Sequence, residues 1–390
     1  MKVLKRNRIT ICVSFIRPII SGDGDSALVF AEALEKMGCK VSVVSLNPYA
    51  RLPLKMNLGT ISILRSPYFN KFLLGKIMSR LVFFPIVTYK ILVSDTIIVY
   101  GRILAYKYCL FVGKLFGKKV VFRSTLMYFD DISTLTFDKG LEGWLNKRLF
   151  GTVDYYFATT PAFAKRWENA GFSPRKVFES PQGVNISRFS VVMQPEKEAL
   201  CRKLNLPNNT TIICSIGDLC YRKGYDDIAK ALSNIDKHFI YIVLGAKEPK
   251  KGLWGQKNNA KEITEVKLII EGLYEKVLLI GLVPNPEEYL KASDIYIHFS
   301  KKEGLSNALQ QAMASGLPMV VKPIEGVPDY ILYSDKNCLF ANSTEDLENQ
   351  LNKLLDNNKL RVDLGLQARN LAIEKLDVDR IAHQFINFIE

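Results

Sequence analysis

Short apolar runs rich in Val, Ile, Phe and Tyr alternate along this chain with longer stretches whose apolar residues recur at helical spacing. Such runs suit strands covered on both faces, and the intervening period suits the crossover helices of a parallel sheet. In the first half the pattern predicts strands at residues 10–16, 41–46, 96–100, 120–123 and 155–159. In the second half it predicts them at 211–216, 239–244, 277–280, 295–299 and 318–321. Helices at 27–37, 225–234 and 308–314 fill gaps, with Gly38 and Gly316 where left-handed C-caps belong. The series restarts after residues 189–195. The pattern therefore predicts an α/β chain with domains at 1–190 and 191–375 and a final helix at 376–390.

Composition narrows the class without naming it. The 390 residues can bury two cores, and 48% hydrophobic with 24% charged residues is globular usage. Seven cysteines, odd in number and never in C-x-x-C spacing, lie far from the three histidines, His238, His298 and His383. That scatter supports neither a disulfide framework nor a zinc site, and the expected setting is a reducing cytoplasm. The start of the chain imitates a secretion signal, with Lys2, Lys5, Arg6 and Arg8 ahead of an apolar run, but Arg17-Pro18 stops it and no small-residue cleavage site follows. A second oily stretch, residues 81–93, is broken by Pro85 and Lys90 and falls short of the roughly 18 apolar residues that span a bilayer.

Charge is divided unevenly. Residues 1–190 hold 28 Lys and Arg against 12 Asp and Glu, net +16, whereas residues 191–390 hold 25 against 27, net −2. The excess peaks between Arg65 and Arg123, with Asp95 as the one acid there. Such a field favours an anionic partner: a bilayer surface, a phosphorylated lipid, an acidic glycan or a nucleic acid. Residues 71–90 mix Phe72, Leu74, Ile77, Met78 and Leu81 with Lys71, Lys76, Arg80 and Lys90. This is the composition of a helix lying on an anionic membrane, and equally of a half-buried helix beside a sheet.

Two second-half loops carry candidate chemistry. The strand at 211–216 runs into Gly217, Asp218 and then Arg222-Lys223-Gly224 before a helix. Gly224 lets backbone approach a ligand, the helix start offers free N–H groups, and Lys223 supplies a point charge for phosphate; a glycine-capped turn with solvated cations has the same composition. The strand at 295–299 leads into Glu303, Gly304, Leu305, Ser306 and Asn307 ahead of the next helix. A loop carboxylate at the carboxyl end of a parallel strand can accept from sugar hydroxyls, while the following amides face phosphate. In the alternative reading Ser306 or Asn307 merely caps the helix and Gln310-Gln311 is solvated.

The string EGLSNALQQAMASGLPMVV, from Glu303, resembles the E-G-F/L-G/S-x-x-x-x-E-A-M-A-x-G-x-P-V-V signature of the group-one retaining glycosyltransferases. GDLCYRKGYDDIAKAL, VPNPEEYLKASDIYIHFS, EGVPDYI and SPQGVNISRF are similar to other motifs of that family, in order and at the right spacing. The resemblance implies a GT-B fold, two Rossmann-like domains facing a central cleft, with the last helix crossing back to the first. It also implies a nucleoside-diphosphate-sugar donor, a lipid-linked or polysaccharide acceptor, no cofactor and no obligatory metal. Carried over by position, Lys223 contacts the donor diphosphate, Glu303 the transferred sugar, and Gly304, Leu305, Ser306 and Asn307 the junction between them. Gln311 stands where the family has a ribose-binding glutamate, and Asp218 replaces its first phosphate-binding arginine, a loss that Arg222 can offset.

In the first half, Gly22 and Gly24 form a G-x-G-x-x-A match too far from the strand, with no acid ending the second strand, to suit a dehydrogenase. Asp23-Gly24-Asp25 is also a D-x-D, in the wrong setting for a metal site. The resemblance instead implies a flexible glycine loop closing over the donor phosphate; a plain βα turn is the other reading. The histidine that the family often carries near the sugar is missing, and Asp130 and Asp131 stand in the corresponding stretch as candidates for sugar or acceptor contacts, with a solvated loop as the alternative. Three functions compete: a transferase, a non-catalytic nucleotide-sugar-binding subunit of a transferase complex, and, last, a nucleic-acid-associated protein for which no recognition module is present.

Overall fold

The computed structural model describes residues 7–49, 52–69, 73–125, 129–137, 140–246, 259–323, 327 and 330–390. Lys2, Lys5, Lys71, Phe72 and Glu325 lie outside the described residues. The chain forms two compact units, Met1–Gly183 with Val378–Glu390, and Val184–Asp377. The break falls ahead of the expected linker because that linker belongs to the second unit. Phe189 is buried in its core, and Arg369 Nη1 donates to the carbonyls of Ile186 and Phe189 at 3.1 and 2.6 Å.

The first unit holds strands β1 Arg8–Cys12, β2 Lys40–Asn47, β3 Lys55–Leu58, β4 Ile61–Pro67, β5 Thr96–Tyr100, β6 Lys119–Arg123, β7 Tyr155–Ala158 and β8 Val177–Glu179. They pair in the order β3-β4-β2-β1-β5-β6-β7-β8, parallel except for the β3–β4 hairpin at one edge. All of β5 is buried, as a strand covered on both faces requires. One face packs under helices Gly22–Lys36 and Val378–Ile389, the other under helices that include Leu73–Leu92, Tyr106–Leu115 and Leu141–Gly151. The last helix belongs to this unit because Ile381, Phe385 and Ile389, one apolar stripe, sink into its core. Phe385 lies between Phe30, Phe157 and Phe178 at ring distances of 5.4–5.9 Å, and Lys36 pairs with Asp379 at 2.7 Å.

The second unit holds β9 Thr211–Ile216, β10 Phe239–Leu244, β11 Val277–Gly281, β12 Ile295–His298, β13 Met319–Val321 and β14 Leu339–Phe340, all parallel, in the order β11-β10-β9-β12-β13-β14. The sequence order reverses between β9 and β12. In open parallel sheets ligands bind at such a switch, outside the carboxyl ends of the strands.

The basic peak is smaller at the surface than in the sequence. Arg65 and Arg123 are buried. Arg123 donates to Tyr100 Oη at 2.8 Å and Ser26 Oγ at 3.2 Å, and its guanidinium lies 4.1 Å from the Phe157 ring centre and 4.7 Å from that of Tyr100. Burial lowers its pKa, and these rings replace part of the lost hydration. Arg65 donates to the carbonyls of Pro53 and Arg17. Lys90 is partly buried and donates to Ser42 Oγ at 3.0 Å.

Candidate functional site

Two loops of the second unit are locked together at the β9/β12 switch. After β9 the chain makes a short 3-10 turn, Tyr221–Lys223, and reaches Gly224 in the left-handed region at φ +73 before helix Tyr225–Ser233. A side chain at Gly224 would place its Cβ 2.1 Å from the Phe299 carbonyl, so both conformation and proximity demand glycine. From the other side Lys301 N donates to Arg222 O at 2.7 Å, and Lys301 Nζ pairs with Asp226 at 2.6 Å. The first loop therefore carries its cations directly over the second.

Those cations converge on one carboxylate. Lys223 Nζ donates to Glu303 Oε2 at 2.6 Å and Arg222 Nη1 to the same oxygen at 2.7 Å; Arg222 also reaches the Lys302 carbonyl at 3.0 Å. The Glu303 and Lys223 side chains are 14% and 13% exposed, that of Arg222 40%. Burial alone would raise the Glu303 carboxyl, but the neighbouring Lys223 and Arg222 charges outweigh it and hold the group at about 2. At neutral pH Glu303 is an acceptor and cannot deliver a proton. Two cations against one anion leave a surplus positive charge, the sign that a diphosphate requires.

Beside this cluster starts helix Asn307–Ala314, capped at Ser306, whose side chain makes no cap hydrogen bond. The Ser306 side chain thus does not play the capping part that the alternative reading assigned to it, and the helix start faces the charged cluster with its positive dipole end. Gly304, Leu305 and Ser306 are buried; Gln311 is half-buried one turn after Asn307, while Gln310 is fully buried rather than solvated. Gly217 passes close to Gly245, where a Cβ would lie 1.8 Å from the Gly217 carbonyl. Asp218, in the arginine's place, accepts from Ala246 N at 3.0 Å and ties this loop to the end of β10.

His298, the last residue of β12, was not among the expected site residues. It is buried, its Nε2 has no hydrogen-bond partner among the described residues, and its ring lies 6.4 Å from that of Tyr296, nearly parallel. Burial, with Lys223 adding to it, pushes its pKa down to about 3, so it is neutral. Its position, immediately ahead of the Glu303 loop at a strand's carboxyl end, is the signal that would have singled it out.

Three expectations are corrected in the first unit. Gly22 and Gly24 lie not in a flexible loop but in the first turn of helix Gly22–Lys36, where Ser21 Oγ accepts from Gly24 N. Gly24 is glycine because a Cβ would sit 2.0 Å from the Phe15 carbonyl, and Asp25 of the D-x-D pairs with Arg17 at 2.8 Å. Asp130 is buried and accepts from Thr125 N and Oγ1 at 2.9 and 2.5 Å. Asp131, also buried, caps helix Ile132–Thr136 and accepts from Arg166 Nε and Trp167 Nε1, both at 2.7 Å. Both carboxylates are occupied in holding this unit together. Residues 126–128 of the same loop lie outside the described residues.

The two Rossmann-like sheets define a GT-B fold. The family model "Glycosyl transferases group 1" matches residues 196–371, and the chain carries a domain of that family. An uncharacterized glycosyltransferase of Methanocaldococcus jannaschii is 27% identical over 277 residues, 69% of this chain and 64% of that protein. The UDP-Gal:alpha-D-GlcNAc-diphosphoundecaprenol alpha-1,3-galactosyltransferase of Escherichia coli is 26% identical over 187 residues, 46% of this chain and 43% of the enzyme. These matches span less than two thirds of the relatives' lengths. The solved structure of Anabaena HepE in complex with UDP-glucose shares the fold at a TM-score of 0.73 and 16% identity, covering 98% of each chain.

Proposed function

We propose that this chain transfers a hexose from a nucleoside-diphosphate sugar to a lipid-linked or cell-surface glycan acceptor, with retention of anomeric configuration, on the cytoplasmic side of a membrane. The observation that carries this reading is the convergence of Lys223 and Arg222 on Glu303 at the switch point, beside a helix start with no side-chain cap. Lys223, Arg222 and the amides at Asn307 suit the donor diphosphate, and the ionised Glu303 suits the hydroxyls of the transferred sugar. In the reaction the bond from the anomeric carbon to the phosphate oxygen breaks, and a bond to the acceptor oxygen forms on the same face. The acceptor proton passes to the leaving diphosphate. Asp130 and Asp131 are not needed as bases; positioning and charge stabilisation carry the rate. The cations supply the charge that a divalent metal supplies elsewhere, so transfer proceeds in the presence of chelator. The E. coli relative named for UDP-Gal and a diphosphoundecaprenol-linked acceptor, and the UDP-glucose complex of HepE, favour a UDP-hexose and a lipid-linked acceptor.

One observation favours a second reading. Asp218 stands in the family's arginine position and is engaged with Ala246, which fits a subunit that binds donor without turning it over. Thermal shift against UDP-, GDP- and ADP-sugars, followed by NMR of the product, separates the two. A donor that binds the native state raises the melting temperature in both cases. Turnover with a retained anomer supports the transferase; an inverted product, or loss of activity in chelator, overturns the mechanism.

A further inference from the structure

Helix Leu73–Leu92 is docked on the sheet along only half its length. Phe83, Val87 and Ile91 are buried in the core, but between residues 74 and 81 Ser79 alone is buried, and Leu74 and Leu81 are 70% and 58% exposed. Helix Leu141–Gly151 repeats the arrangement. Leu141, Trp144 and Leu145 are at least half exposed in its first two turns, while Phe150 near its end is buried. A crossover helix running antiparallel to its strands has its start at their carboxyl end. Both apolar overhangs therefore lie at the end of this sheet where ligands of parallel sheets bind. Contacts join them. Phe84 stacks on Tyr108 at 4.1 Å, and the neighbouring Lys107 pairs with Glu142 at 2.9 Å.

The charge on this rim has one sign. Lys76, Arg80, Lys147 and Arg148 are exposed, and the Arg148 guanidinium lies 4.8 Å from the Trp144 ring centre. Among the described residues of the two helices the one acid is Glu142, which Lys107 neutralises. Apolar and aromatic side chains interleaved with unopposed cations match the acyl-headgroup boundary of an anionic bilayer, where rings and stems sink and charged heads meet phosphate. A second copy of the same cationic rim would repel it.

We propose that this rim, formed by the exposed starts of helices Leu73–Leu92 and Leu141–Gly151, seats the first unit on an anionic membrane. It deepens the transferase reading, on which its purpose rests, by placing the carboxyl end of this sheet where a lipid-linked acceptor would emerge. The test is co-sedimentation of the whole chain with phosphatidylglycerol-containing and pure phosphatidylcholine vesicles at low and moderate salt. Binding is expected to anionic vesicles only and to be released by salt. The charge variant Lys76→Glu/Arg80→Glu and the apolar variant Leu81→Gln/Trp144→Gln should each weaken it by about tenfold or more. In a Trp254→Phe background anionic vesicles should also shift tryptophan emission to the blue, and adding Trp144→Phe should abolish that shift because the remaining Trp167 is already buried. UDP binding and transfer to a water-soluble acceptor should be unchanged in every variant, so failure of the rim and failure of the transferase reading are separate results. Wild-type protein that ignores anionic vesicles overturns the proposal. So does equal binding to neutral vesicles, or concentration-dependent dimerisation that Leu81→Gln abolishes while vesicles remain unbound.

Discussion

The two units share a sheet plan but use their charges in opposite ways. In the first, Arg65, Arg123, Asp130 and Asp131 are buried, with their hydrogen bonds made inside the unit. In the second, Arg222, Lys223 and Glu303 keep measurable exposure and carry a net surplus of one charge. A buried ionic group engaged by its own fold organises that fold; a cluster that remains accessible and unbalanced has free energy left for a ligand. The glycines divide in the same way. Gly24 accommodates a carbonyl within one helix entry, whereas Gly224 joins two loops of a ligand site.

The largest expected effect separates the carboxylates. Glu303→Ala should lower the turnover of the folded protein by about a hundredfold, as loss of a positioned polar group at a reacting centre does, with only a secondary loss of stability from its broken pairs with Lys223 and Arg222. Asp131→Ala should do the reverse, costing about 3 kcal/mol of stability by stranding Arg166 and the Trp167 N–H, with the activity of the folded fraction intact. If Asp131→Ala abolished turnover at full stability, the division between the units would collapse. Lys223→Ala should weaken UDP binding by roughly tenfold or more, since a charge-assisted contact contributes about 1.5–3 kcal/mol.

A smaller effect compares the glycines. Gly24→Ala and Gly224→Ala should each destabilise by about 1–3 kcal/mol through overpacking against a carbonyl. Only Gly224→Ala should also reduce UDP affinity in titration calorimetry. Equal loss of affinity in both would place Gly24 at the donor after all.

The smallest effect is a pH dependence. His298 titrates at about 3 when folded against 6.5 ordinarily, so between those values the unfolded chain binds the extra proton and stability falls as pH falls. Between pH 7 and 5.5 the loss should be on the order of 1 kcal/mol, and His298→Gln should remove it. Glu303 acts lower. Its folded value of about 2 against 4.5 gives stability that is present above 4.5 and lost toward pH 2. A wild-type chain with a flat melting temperature from pH 7 to 5.5 would contradict the buried, neutral His298.

Much of this molecule was legible along the chain because its signals are local. The strands at 96–100, 211–216 and 239–244 coincide with β5, β9 and β10, since a strand covered on both faces writes a continuous apolar run. Glu303, Lys223 and Gly224 were readable for a similar reason, each tied to a loop at a strand's end. The two- and three-residue strands β14 and β8 are too short to carry a period, and the edge hairpin strand β3 is mostly exposed and polar. What needed the tertiary structure was the fate of each charge. Asp130 and Asp131 look as available in the sequence as Glu303 does, and Arg123 counts toward the basic field as fully as Arg80. Partners distant in sequence decide otherwise: Trp167 occupies Asp131, and Phe30 and Phe157 enclose Arg123. Local pattern determines where strands and loops fall, because backbone propensity and burial periodicity act over a few residues. Whether an ionic group is spent or available depends on desolvation and on hydrogen bonds that exist only once the sheets have packed.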